Sequence, residues 1–136
     1  MIQIHDIKHI LVIDHQSSWR ELSMRTLKDE GYSVEGSSNY LDHSLRQTNP
    51  DLIILGCARV GSEELQFITQ LLLEKHHLLV LSAYLPKSVM RSLFMQGVDD
   101  IVDKPYSSNA LVQIVREVLD TIAQREEVHT FAEERR

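Results

Sequence analysis

Short apolar runs rich in Val, Ile and Leu, alternating with longer segments of helical period, constrain this chain more than any other feature. The strongest is Leu52-Ile53-Ile54-Leu55, introduced by Pro50-Asp51. A strand with one wet face alternates apolar and polar residues, whereas an unbroken apolar run needs cover on both faces. The pattern therefore predicts an α/β fold, a doubly wound five-stranded parallel sheet with helices on both faces. Strands are expected near Ile10 to Asp14, Tyr32 to Ser37, Leu52 to Leu55, Leu78 to Ser82 and Asp100 to Val102. Helices are expected from a Ser17-Ser18 cap to Gly31, with Leu22 and Leu27 facing inward, and over Tyr40 to Gln47 and Glu63 to Glu74. A further helix is expected over Lys87 to Gln96, closed by Gly97, and a last one from Ser107 or Ser108 through Leu111, Val115, Val118 and Ile122.

The 136 residues, 43% of them hydrophobic, suffice for one core and are short for two. One domain is expected over residues 1–123, followed by a charged helix extension, linker or tail over 124–136. A formal net charge of -6 argues against direct nucleic-acid binding, which calls for a basic surface, and favours a protein partner. A single cysteine, Cys57, makes no internal disulfide, and no stretch approaches the roughly 20 apolar residues that span a bilayer. The expectation is a cytoplasmic protein without a membrane segment.

In an open parallel sheet, ligands collect outside the carboxyl ends of the strands, where the strand order reverses. Those ends deliver Asp14-His15, Gly56-Cys57, Ser82-Ala83 and Lys104-Pro105. With the Gly97-Val98-Asp99-Asp100 turn ahead of Pro105-Tyr106, these pairs resemble a response-regulator receiver domain of the CheY-like superfamily over about Lys8 to Ile122. The resemblance implies a flavodoxin-like strand order 2-1-3-4-5. It also implies a phosphate-accepting aspartate at the end of the third strand, two consecutive acidic residues that hold magnesium, a hydroxyl, and a lysine followed by a cis-proline.

Against that pattern the chain keeps Asp14, Ser82 and Lys104 and departs at three positions. Gly56 stands where the acceptor aspartate belongs, His15 replaces the second acidic residue, and Ile101 takes the position of the aromatic switch. One carboxylate and an imidazole make a poor magnesium site, because magnesium prefers hard oxygen ligands. Asp51 is no substitute acceptor: five residues of strand at about 3.3 Å each place it roughly 16 Å away, at the opposite sheet edge. Asp14 is expected to pair with Lys104. No cofactor is expected, and magnesium binding is expected to be weak or absent.

The resulting expectation is a pseudo-receiver, a non-catalytic signalling module of a two-component or related bacterial pathway that acts by phosphorylation-independent protein interaction. A histidine kinase, an output domain or another signalling protein is the implied partner. Tyr84, Met90, Phe94, Met95 and Tyr106 are the candidate interface residues. The face built by the 87–96 helix, the 100–102 strand and the last helix, or the C-terminal helix itself, is the candidate homodimer surface. Trp19, close to the vestigial pocket, is a further candidate contact.

Two alternatives remain open at this point. One is a small flavodoxin-like enzyme or metal- or small-molecule-binding protein using Asp14, His15, Cys57 and Lys104, since thiolate, imidazole and carboxylate together can bind zinc. The other is the regulatory domain of a transcription factor whose output domain lies outside this chain. The remaining histidines show no ligand spacing, and His76-His77 reads as a polar stop at a helix end.

Overall fold

The structure is a computed structural model that describes residues 7–40, 47–105 and 107–134, with side chains as far as Val128. Strands β1 (His9–Asp14), β2 (Ser33–Ser37), β3 (Leu52–Arg59), β4 (Leu78–Tyr84) and β5 (Asp100–Asp103) form one parallel sheet in the order β2-β1-β3-β4-β5. Among the described residues the helices are α1 (Ser17–Asp29), α2 (Ser62–Leu73), α3 (Lys87–Gln96) and α4 (Ser108–Glu134). The helix expected over Tyr40 to Gln47 falls largely outside the described residues.

Alternate residues of each central strand supply the two halves of the core, as the period of two along a strand requires. Leu11, Ile13, Ile53, Leu55 and Val80 pack on one face with Phe67, Ile68 and Leu71 of α2 and Leu93 of α3. Ile10, Val12, Leu52, Ile54, Leu79 and Leu81 pack on the other with Leu27 of α1 and Leu111, Val115, Val118 and Ile122 of α4. This double cover is why the strands read as unbroken apolar runs. Each such side chain contributes about 1.5–3 kcal/mol by leaving water.

Helix ends follow their local chemistry. Gly31 and Gly97 both adopt left-handed backbone, with φ of 97° and 107°. Tyr32 N–H and Val98 N–H then reach back to the carbonyls of Leu27 and Leu93, the wrapped stop that a residue without Cβ permits. The charged stretch after Ala123 continues α4 without interruption to Glu134.

Three expectations need correction. Leu22 is half exposed, because the inward stripe of α1 runs through Ser23 and Leu27. β3 does not end at Leu55: it continues through Gly56 and Cys57 to Arg59, paired with β4 as far as Arg59 opposite Tyr84. His76 and His77 do not end a helix, since α2 stops at Leu73 and a left-handed Lys75 turns the chain before them.

Candidate functional site

The sheet order reverses between β1 and β3, and the crevice above their carboxyl ends opens into a cavity of about 480 Å³. Asp14, His15, Gly56, Cys57 and Lys104 all line it, together with Tyr40 and Glu64. Asp14, the last residue of β1, sits directly opposite Gly56 in the parallel register. A Cβ on Gly56 would run into Asp14 Oδ2, lie 3.0 Å from its Cγ and come within 3.3 Å of Trp19 Cζ3. The carboxylate of β1 therefore fills the space that a side chain at position 56 would need.

Asp14 is 2% exposed, and its charge is answered within the fold. Oδ1 accepts a hydrogen bond from Gln16 N–H at 2.8 Å, and Oδ2 lies 3.0 Å from Lys104 Nζ. The Oδ2 contact is an ion pair by distance, and no hydrogen bond is aligned on that oxygen among the described residues. Lys104 is in turn fixed by its own N–H, which donates to Ser82 O at 3.0 Å, and by the Trp19 ring, whose centroid lies 4.8 Å from Nζ. Arg20 reaches back from α1 to the Asp14 carbonyl at 2.7 Å. The peptide bond before Pro105 is trans, where the resemblance implied cis.

Ser82 is fully buried and does not line the cavity. Its hydroxyl is directed at the carbonyls of Tyr84, 2.8 Å away, and Ala58, 3.3 Å away. Ile101 is equally buried, opposite Val80 in the sheet and inside the core. An aliphatic side chain there has no polar tip to swing between surface and pocket.

Cys57 is 6% exposed, and burial pushes its thiol up to about 11, partly offset by a hydrogen bond with Ser82. At neutral pH it is a thiol, not the thiolate that binds metals or attacks electrophiles. His15 is exposed, with Nδ1 hydrogen-bonded to the Ser38 carbonyl and its ring centroid 4.3 Å from that of Tyr40. Tyr40 stacks on Phe67 at 4.8 Å and donates its hydroxyl to Glu64 Oε2 at 3.1 Å.

Among the described residues, the group that brings three ligand atoms within 4.8 Å of one another is His15, Glu63 and Glu64, and it includes neither Asp14 nor Cys57. Glu63 and Glu64 stand in the first turn of α2, where the helix dipole favours anions and opposes a cation. Glu64 is moreover committed to the helix cap, its Oε1 accepting from Gly61 N–H at 2.9 Å. The magnesium that such a crevice holds in the resembling family does not fit here either, because Asp14 is paired with Lys104 and Gly56 offers no ligand.

The candidate interface residues are distributed unevenly. Tyr84, Phe94 and Met95 are exposed, and Arg59 lies over the Tyr84 ring at 5.8 Å. Met90 packs against the core instead, so it is not a free surface residue, and Tyr106 lies outside the described residues. Sequence reasoning did not single out Tyr40 or Glu64, whose link joins the β2 side of the cavity to α2. The signal for Glu64 was a carboxylate three residues after a helix-capping glycine.

No protein-family model and no curated protein sequence matches the chain. Solved structures match it closely in shape: the signal receiver domain of a putative LuxO repressor from Vibrio parahaemolyticus superposes with a TM-score of 0.76 over 90% of this chain and 97% of that one, at 18% identity. The fold is that of a response-regulator receiver domain. A response regulator from Thermotoga maritima gives a TM-score of 0.73 at 22% identity, covering 84% of this chain and 98% of that one. NtrX from Brucella abortus, in complex with ADP, gives 0.76 at 22% identity, and here the match spans 92% of this chain but 29% of the neighbour. The receiver fold thus accounts for the crevice, while the residues that fill it are this chain's own. No described helix is long and apolar enough to cross a membrane.

Proposed function

We propose that this chain is a pseudo-receiver: a non-catalytic module that keeps the receiver fold and acts through phosphorylation-independent protein interaction in a two-component or related bacterial pathway. The observation that carries the reading is the Asp14 carboxylate seated over Gly56 and paired with Lys104 at 3.0 Å. The group that would receive a phosphoryl is absent, and the volume it would occupy is filled. Of the carboxylates lining the cavity, Asp14 is held by Lys104 and Gln16, and Glu64 by Gly61 and Tyr40. Neither is a free nucleophile.

A cytoplasmic location and a protein partner, whether a kinase, an output domain or another signalling protein, belong to the same reading. The exposed Tyr84, Phe94 and Met95 are the large side chains it assigns to partner contact. An orphan response regulator of H. pylori shares the fold, with a TM-score of 0.71 at 23% identity over 82% of this chain and 96% of that one.

The direct test is incubation with acetyl phosphate and magnesium followed by intact-mass measurement. The expected spectrum shows the unmodified chain alone. A stoichiometric, acid-labile phosphoryl adduct would overturn the proposal.

A further inference from the structure

At the opposite edge of the sheet from the cavity, His77 stands between two carboxylates from different parts of the chain. Its Nδ1 is 3.3 Å from both carboxylate oxygens of Asp99, and its Nε2 is 3.4 Å from Glu126 Oε1. Asp99 is a structural fixture of this edge. Its carboxylate accepts from Leu78 N–H at 2.7 Å, its own N–H donates to Leu78 O at 3.0 Å, and its side chain is 7% exposed. Glu126 is on α4, beyond Ile122, the last buried residue of that helix among those whose side chains are described. Arg125, its neighbour, reaches Asp99 Oδ1 at 3.1 Å.

The proton inventory of an imidazole decides what this geometry means. A neutral ring carries one N–H and one lone pair, so with carboxylates on both nitrogens one of the two contacts would set lone pair against anion. Only the imidazolium donates in both directions. We propose that protonated His77 is a pH-sensitive clasp fastening the C-terminal part of α4 to the N-terminal edge of the sheet, and that this end of the helix loosens when His77 loses its proton.

The surrounding charges set the strength of the clasp. Lys8, Asp51, Lys75 and His76 line the same small cavity as His77 and Glu126, and His76 is itself drawn to Glu74 at 3.3 Å. The hydrogen bond to Asp99 raises the His77 pKa above its ordinary 6.5; desolvation opposes the shift, and the charges of Asp99 and Glu126 add to it. A raised folded-state pKa contributes docking that is complete below the ordinary value and is lost as pH climbs through the raised one. The Arg125–Asp99 pair ties the same stretch of α4 to the sheet edge without passing through His77, so it sets a floor under the docked state. Glu126 and Arg125 are largely exposed, which keeps the effect modest.

Hydrogen exchange of the full chain, followed by NMR and referred to intrinsic exchange rates, tests the clasp at about pH 5.5 and about pH 8.5, on either side of the histidine range. Protection of the amides after Ile122 is expected to fall roughly two- to fivefold at the higher pH, the scale of a partly exposed ion pair. His77→Gln should abolish that pH dependence, Glu126→Gln should shrink it, and His76→Gln should leave it in place. A wild-type protein whose protection does not change with pH, a His77→Gln variant that keeps the transition, or a His76→Gln variant that loses it would each overturn the proposal.

Discussion

The Asp14 carboxylate occupies the volume that a Cβ on Gly56 would fill, across the β1–β3 register that sets the two residues side by side. Glycine at position 56 and an inward-folded aspartate at position 14 are thus two halves of one packing solution.

Gly56→Ala is therefore expected to cost about 1–3 kcal/mol, the usual cost of overpacking, because Asp14 must leave Lys104 to make room. Urea unfolding of Gly56→Ala, Asp14→Ala and the double variant forms the cycle that checks it. The two substitutions should couple strongly; strictly additive costs would show that the residues do not compete for space.

Gly56→Asp should not recover magnesium-dependent labelling by acetyl phosphate. The new side chain meets Asp14, and His15 still replaces the second acidic ligand. Intact-mass analysis of that variant, run beside the wild type, is the check, and robust labelling would mean that Asp14 yields more readily than its contacts imply.

Lys104→Met leaves Asp14 buried without its cation and is expected to destabilise the fold by about 3–5 kcal/mol. The Asp14→Asn, Lys104→Met double variant removes the charge with its partner and should recover much of that loss. Chemical denaturation midpoints at neutral pH measure both.

The Cys57 thiol should react slowly with a disulfide reagent in the native protein at pH values where a free cysteine reacts at once, and rapidly in denaturant. Its ordinary value is 9.0, and burial raises it to about 11 in the fold. The folded state thus holds the proton more tightly, so this group's contribution to stability is constant below pH 9.0 and falls as pH rises from there toward the folded value. Unfolding free energies measured across that alkaline window, with Cys57→Ala as the reference, should fall more steeply in the wild type, since the raised Tyr32 and Tyr40 hydroxyls contribute equally to both.

Ile101→Tyr restores the aromatic of the resembling family to a site that is 1% exposed and packed against Val80. A cost of about 1–3 kcal/mol is expected from the added volume. Thermal unfolding reads it directly, and a neutral substitution would reveal room beside β5.

The sheet was legible because both of its faces are covered, so that runs such as Leu52-Ile53-Ile54-Leu55 carry no polar interruption. The stops at Gly31 and Gly97 were legible for a local reason, the left-handed backbone that each supplies. What escaped depends on partners distant in sequence. β3 overruns Leu55 because β4 offers Ser82 and Tyr84 to pair with, and nothing local to Gly56-Cys57 announces that. Leu22 looked like a core residue by composition, yet α1 turns Ser23 inward, its hydroxyl satisfied by the Trp19 carbonyl at 2.8 Å. At the site, the departures at Gly56, His15 and Ile101 could be read off the chain, whereas the Tyr40–Glu64 link and the Asp99–His77–Glu126 arrangement exist only once the fold brings them together.

The buried hydroxyl of Ser82 holds two strand ends at once. It spans the carbonyls of Ala58 and Tyr84, while the Tyr84 ring stands on the surface under Arg59. One hydroxyl thereby fastens the ends of β3 and β4 together beneath an exposed aromatic ring, so that the surface at Tyr84 and the rim of the cavity at Ala58 share a single buried anchor.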